Sequence, residues 1–385
     1  MNSSLELNVS RAEKRWLRRV IDNEAQSVGL LILAAVLGIG IATINPSFAD
    51  TVLHTHLPVL NLSLAEFAAD GLLAIFFFIA GLELRHELTV GTLNSVRAAA
   101  VPVVAAVGGM LAPVFVFLAL APAGFSGAWG IPMATDLPLA LAIIAVFGKR
   151  LPLSFRAFIL SLAIVDDVGS VLVIAVKFGA SVSVGALLLV LIGVVAYVTQ
   201  NLRAVHGSIL FAIAIATWFA MLHSGIHPTV LGVVLGLATS VRADRYREKL
   251  QPWSNGVCVP LFVFTAVAMP VSVSLINSEL TSALIGARIT GKPLGVFLGA
   301  VVALALFRPT LRLPLKLYVL AGVVASLGFS VSMLFALLSL RDAIALAQAQ
   351  TSILAALSVA AIVTSAVLML FNRLDADKSA RSARL

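Results

Sequence analysis

Charged side chains are scarce in this sequence. Asp, Glu, Lys and Arg make up 11% of its 385 residues, and 60% are hydrophobic. Mean hydropathy is +1.06. A water-soluble chain of this length needs far more polar surface than these residues supply, so the composition excludes an ordinary soluble domain and points to a polytopic membrane protein. Cysteine occurs once, at Cys258, so no intramolecular disulfide forms and the residue reads as core packing. The first 27 residues hold no long apolar run, and no A-x-A pattern follows the first apolar stretch, so a cleaved secretory leader is not expected.

Cationic residues are in excess, with a formal net charge of +8. Their placement argues against nucleic acid as the partner. Twelve apolar segments divide the chain, and with the N-terminus taken as cytoplasmic, 22 of the 26 Lys and Arg fall on the cytoplasmic side. That asymmetry follows the positive-inside rule and predicts cytoplasmic termini at both ends. The expected organisation is a cytoplasmic segment 1–27, a twelve-helix domain 28–372 and a cytoplasmic tail 373–385. Residues 11–21 (RAEKRWLRRVI) read equally as an amphipathic helix on the anionic inner leaflet or as a solvated tail.

Against this background two adjacent carboxylates stand out. Residues 157–176 read AFILSLAIVDDVGSVLVIAV, and Asp166 and Asp167 are the only charges in the run. A spanning helix needs about 20 apolar residues, so the pair falls near the bilayer midplane. Each ionised Asp there costs roughly 2.5–3.5 kcal/mol on insertion scales. Such a cost points to a ligand, and protons and small cations are the natural candidates.

The fourth apolar segment is interrupted by GIPMATDLP, with Pro132 and Pro138 flanking Thr135 and Asp136. Proline removes an amide donor and crowds a carbonyl one turn back. Irregular backbone at membrane depth is tolerated only against protein or a wet cavity. The eleventh segment has a matching weak point in ASLGFSVS, with Ser326, Gly328, Ser330 and Ser332. Segments three to five and ten to twelve, about 95–178 and 281–371, form two triplets of opposite topology, each with an interrupted middle helix. Paired interruptions of this kind mark the binding site of inverted-repeat transporters. The expected fold is therefore an all-α polytopic membrane protein of twelve helices with inverted-topology repeats and interrupted crossing helices four and eleven.

Half-helices that meet end to end leave unpaired amides at one end and unpaired carbonyls at the other. Asp136 can offset the amide ends, and Lys292, in ARITGKPLGVFLG of segment ten, the carbonyl ends. Neighbouring residues on a helix point about 100° apart, so one of Asp166 and Asp167 can meet Lys292 while the other faces a cavity. Two neighbouring carboxylates in a low dielectric do not both ionise easily. Hard cations favour oxygen ligands, and Asp166, Asp167 and the Thr135 hydroxyl supply them for Na+. Na+ and H+ then compete for the same oxygens. Arg288 adds a second cation one turn before Lys292 and is expected to perturb the ion pair.

These blocks resemble the NhaA-type sodium/proton antiporters along nearly the whole chain. The resemblance runs through GLELRHEL at 81–88, ATDLPLAL at 134–141, AIVDDVGS at 163–170, SGIH at 224–227, GKPLG at 291–295 and GFSVSM at 328–333. It implies electrogenic export of Na+ or Li+ driven by H+ entry across a bacterial inner membrane, with no cofactor and no enzymatic activity. It makes Asp167 the primary ion-binding and proton-carrying carboxylate and Asp166 the partner of Lys292, with Thr135 and Asp136 at the helix crossing. Glu83, Glu87, Glu248 and His227 match positions linked in the family to pH sensing or the ion funnel, and Asp70 matches an acidic position on the outer side. In the family, the region around residues 54–64 can form a dimerising β-hairpin, although this chain has no clear turn signal there.

The chain also departs from the family pattern. His86 stands where a basic Arg or Lys is usual, and Lys249 and Gln251 replace common histidines. Segment nine reads FTAVAMPV with Pro270, Pro228 follows His227, and Arg288 occupies a usually apolar position. A sodium-coupled solute symporter is the nearest alternative. An intramembrane aspartyl protease is a more distant one, because its Gly-x-Gly-Asp signature is missing here.

Overall fold

The computed structural model describes residues 11–57, 62–91, 93–148, 151–179, 183–268, 278–307 and 313–382. Pro270, residues 58–61, Lys149 and Arg150, and residues 1–10 and 383–385 of the two terminal segments lie outside these. The described chain is nearly all helix. Six helices are long and apolar enough to span a bilayer: Leu64–Thr89, Val96–Leu120, Leu153–Lys177, Val184–Leu202, Glu279–Phe307 and Ala343–Leu374. Two bent pairs add to them: Val28–Ile44 with Pro46–His54, at 119°, and Leu315–Ala325 with Ser330–Ser339, at 54°. Leu137–Phe147, Gly207–Leu222 and Thr229–Ala238 are shorter apolar helices. By length and composition the described residues thus hold six spans, or eight if each bent pair is one. Leu188, Leu189, Leu191 and Ile192 are exposed, as side chains facing lipid are.

Backbone packing divides the chain into two compact units. The first is drawn from Met1–Gly29, Thr92–Asp166 and Val271–Leu385, and the second from Leu30–Gly91 and Asp167–Pro270. The division falls inside the Leu153–Lys177 helix, between the two aspartates.

In the first unit Val96–Leu120 packs along Lys292–Phe307. The contact depends on bare backbone. A Cβ on Gly295 would strike the Gly108 carbonyl, and one on Gly299 would strike the Val104 carbonyl. Small residues four apart let membrane helices approach this closely. Both interrupted segments belong to this unit. After Ser126–Ala128 the fourth segment runs through turns, is irregular at 134–136, and becomes helical only at Leu137–Phe147. Pro138 therefore opens the second half-helix, where a missing amide costs nothing. The eleventh segment stops at Ala325, is irregular through Phe329 and resumes at Ser330–Ser339.

In the second unit Leu73–Thr89 packs against Thr229–Ala238. Cα hydrogens stand where side chains would collide, with Gly236 against the Phe78 carbonyl. A short antiparallel pair, His56–Leu57 with Leu62–Ser63, precedes this helix. Ser63 and Glu66 close a capping box, with Ser63 Oγ accepting from the Glu66 amide at 3.2 Å and Glu66 Oε2 accepting from the Ser63 amide at 2.8 Å. Three π-helical stretches occur among the described residues: Ala68–Leu72, Ser254–Cys258 and Ala287–Gly291.

Candidate ion site at a helix crossing

In the first unit the irregular stretches 134–136 and 327–329 lie against one another. The Asp136 amide donates to the Leu327 carbonyl at 2.6 Å, and the Thr135 hydroxyl donates to the Ala325 carbonyl at 2.9 Å. Gly328 makes the approach feasible, since a Cβ there would overlap the Ala134 carbonyl oxygen. Each interruption frees amides and carbonyls that have no water to turn to, so side chains must meet them.

Asp136 meets the amide ends. Its Oδ1 accepts from the Leu139 amide at 3.4 Å, capping Leu137–Phe147. Its Oδ2 accepts from the Ser330 amide at 3.1 Å and the Ser330 hydroxyl at 2.7 Å, at the start of Ser330–Ser339. One carboxylate thus serves two helix N-termini, where the macrodipole favours a negative charge.

Cations meet the carbonyl ends. Lys292 Nζ donates to the Met133 carbonyl. Arg288 donates to the Gly328 carbonyl and to Ser332 Oγ, each at 2.6 Å, and to the Ile131 carbonyl at 3.4 Å.

Asp166 joins this group from the Leu153–Lys177 helix. Its Oδ2 accepts from the Thr135 amide at 2.7 Å and lies 3.0 Å from Lys292 Nζ, with Oδ1 at 3.2 Å from the same nitrogen. Asp166 and Lys292 are each 1% exposed, so the pair is a buried one. Asp167 follows on the same helix and is also buried. The structure gives Thr135 a division that its residue type did not signal. Its amide, rather than its hydroxyl, meets the carboxylate.

Among the described residues no group of three or more His, Cys, Asp or Glu side chains is placed to hold a metal ion. Within the first unit the Asp166 carboxylate offers oxygen atoms of the kind a small hard cation favours. In this structure the Lys292 ammonium occupies a cation's place beside Asp166.

The remaining sequence-derived residues belong to the second unit and form two groups. Glu83 accepts from Gln251 Nε2 at 3.3 Å, and Glu87 is buried one turn further on. His86 stands 3.3 Å from Asp244, which also meets Arg247 at 3.3 Å, and Glu248 is exposed on the same Ala243–Trp253 helix. His227 is not part of this group. Its Nε2 lies 3.3 Å from Asp70 Oδ1, and its Nδ1 lies 2.8 Å from Thr229 Oγ1. Asp70 precedes Glu83 by 13 residues on the Leu64–Thr89 span, about 20 Å of helix rise. Trp218 Nε1 donates to the Asp70 carbonyl at 2.9 Å, within the Ala68–Leu72 π-turn. Neither Trp218 nor Gln251 carried a sequence signal for its role. Gln251 had been conspicuous only as a replaced histidine.

A protein family described as Na+/H+ antiporter 1 matches residues 18–368. The Na(+)/H(+) antiporter NhaA 1 of Saccharopolyspora erythraea is 36% identical over 370 residues, covering 89% of each chain. The Na(+)/H(+) antiporter NhaA of Nocardia farcinica is 36% identical over 375 residues, with 89% of each covered. The Na(+)/H(+) antiporter NhaA 2 of Clavibacter michiganensis subsp. michiganensis is 38% identical over 341 residues, with 82% of each covered. These relatives are named as transporters, not as enzymes.

Proposed function

We propose that this chain, which belongs to the Na+/H+ antiporter 1 family, exchanges cytoplasmic Na+ or Li+ for external H+ across a bacterial plasma membrane. The observation that carries the reading is the buried Asp166–Lys292 pair, fixed by the Thr135 amide and adjoining Asp167. In this reading Asp167 is the primary ion-binding and proton-carrying carboxylate, with Asp166 and the Thr135 hydroxyl as further oxygen ligands. A cation that reaches Asp166 competes with the Lys292 ammonium for one carboxylate. Proton and Na+ occupancy then exclude each other, as exchange requires. Asp136 and Lys292 compensate the helix ends, so the site stays organised when ions leave.

The same reading places twelve helices in inverted repeats, with both termini cytoplasmic and access alternating between the two faces. Transport is electrogenic, and each net charge moved is driven by about 2.3 kcal/mol per 100 mV of membrane potential. Glu83, Glu87, Glu248 and His227 are the residues through which pH sets activity, and Asp70 serves the outer side. The pairing of His56–Leu57 with Leu62–Ser63 supports a homodimer formed through that hairpin.

The test is proton release from acid-loaded proteoliposomes on addition of Na+, with no organic solute present. Wild type should release protons and Asp167→Asn should not. Exchange retained in Asp167→Asn would overturn the site assignment, and a requirement for an organic co-solute would favour a symporter.

A further inference from the structure

The exchange reading uses Lys292 and leaves Arg288 without a role. We propose that Arg288 is a positioning residue of the ion site: it clamps the two interrupted segments together so that the Thr135 amide stays on the Asp166 carboxylate.

Arg288 sits in the π-helical turn Ala287–Gly291, directly before the helix that Lys292 opens. It is wholly buried. Its guanidinium reaches both broken segments at once. NH1 holds the Gly328 carbonyl of the eleventh, while NH2 holds the Ile131 carbonyl of the fourth and the Ser332 hydroxyl of the eleventh. Ser332 Oγ donates in turn to the Ile131 carbonyl at 2.7 Å, which closes the link. A planar fork with several fixed donors can span two acceptors in this way, whereas a lysine ammonium is a single point charge on a flexible stem.

The two cations of this helix therefore have separate tasks. Lys292 is shared between the Met133 carbonyl and Asp166, so it can be drawn away when a cation enters. Among the described residues Arg288 donates its hydrogen bonds to backbone carbonyls and a hydroxyl of the crossing, groups that do not change charge during exchange. The crossing thus keeps a cation at its carbonyl ends throughout the cycle.

The path from Arg288 to the ion is short. Ile131 lies four residues before Thr135, and the Thr135 amide is 2.7 Å from Asp166 Oδ2. Releasing the Ile131 end frees the 131–136 stretch to shift, and Asp166 loses the donor that fixes its orientation.

This inference rests on the exchange reading, and two measurements keep the two separable. Backbone amide hydrogen exchange of residues 131 and 133–136 needs no transport. It should quicken at least tenfold in purified Arg288→Gln relative to wild type and recover only in part in Arg288→Lys, whose single ammonium cannot hold both segments at once. In proteoliposomes the apparent KM for Na+ should rise about tenfold in Arg288→Gln, the size expected for one charge-assisted hydrogen bond, with a smaller change in maximal rate. Arg288→Lys should stay impaired, with a KM between those of Arg288→Gln and wild type. Unchanged amide exchange and unchanged KM in both variants would overturn the clamp. So would a loss confined to the amount of folded protein, with KM and amide exchange as in wild type. A wild type that releases no protons on Na+ addition would instead defeat the exchange reading and leave the amide-exchange result to judge the clamp.

Discussion

Replacing Lys292 by methionine removes one member of an ion pair whose partners are each 1% exposed and 3.0 Å apart. Breaking a buried pair from one side costs about 3–5 kcal/mol, because the other charge is left behind. Asp166 retains the Thr135 amide, which lies at 2.7 Å. A hydrogen bond to a charged group contributes about 1.5–3 kcal/mol. Lys292→Met should accordingly fall near the lower end, about 3 kcal/mol. Asp166→Asn should cost a similar amount: the Asn carbonyl keeps the Thr135 amide, and Lys292 keeps the Met133 carbonyl but loses its counter-charge. The double variant removes both buried charges together with their desolvation cost. It should be no less stable than either single one, giving a coupling of about 3 kcal/mol, at the upper end for residues of one network. The assay is a double-mutant cycle by reversible denaturant unfolding in mixed micelles. Single-variant losses that add to within about 0.5 kcal/mol would show that the two side chains do not act as a pair.

Two further substitutions probe the crossing. Gly328→Ala puts a Cβ onto the Ala134 carbonyl oxygen and should cost about 1–3 kcal/mol by overpacking, visible as a lowered melting temperature in detergent; an unshifted melt would mean that the segments do not approach as closely as described. Asp136→Ala strips the acceptor from the Leu139 amide and from the amide and hydroxyl of Ser330, and should cost at least about 2 kcal/mol. Asp136→Asn should be milder, and equal melts for wild type and Asp136→Ala would reject the shared cap.

Charges in apolar runs made much of the site legible from sequence. Asp136, Asp166, Asp167 and Lys292 are conspicuous because a lipid-facing position penalises them, and Pro132, Pro138 and Gly328 marked the interruptions. The contacts themselves were less legible. Arg288 and Lys292 donate largely to main-chain carbonyls, and every residue carries a carbonyl, so residue type cannot say which one is free. The Ala287–Gly291 π-turn likewise has no compositional signature, yet it carries Arg288. The Pro138 break proved to be a helix start, because proline crowds the turn before it but is harmless in a first turn. His56–Leu57 and Leu62–Ser63 pair without the Asn-Gly or Asp-Gly signal of a tight hairpin. His227 was grouped with Glu83 and Glu87 by motif, whereas the fold pairs it with Asp70, because chain order within SGIH does not tell which end of a neighbouring helix it meets.

The shared cap at Asp136 also constrains how the protein is made. Its second set of donors, on Ser330, lies 194 residues downstream. At about 5–20 residues per second, a ribosome needs roughly 10–40 s to reach Ser330 after Asp136 has emerged. Lys292 follows Asp166 by 126 residues, roughly 6–25 s at the same pace. Throughout that interval Asp136 lacks its Ser330 donors and Asp166 lacks its ammonium, with only the Leu139 and Thr135 amides already made. The early half of the unit must therefore wait with its acids hydrated or shielded by the insertion machinery, and the last third of the chain completes its burial. Translation order thus makes the C-terminal segments a folding requirement for a site whose acids were synthesised long before.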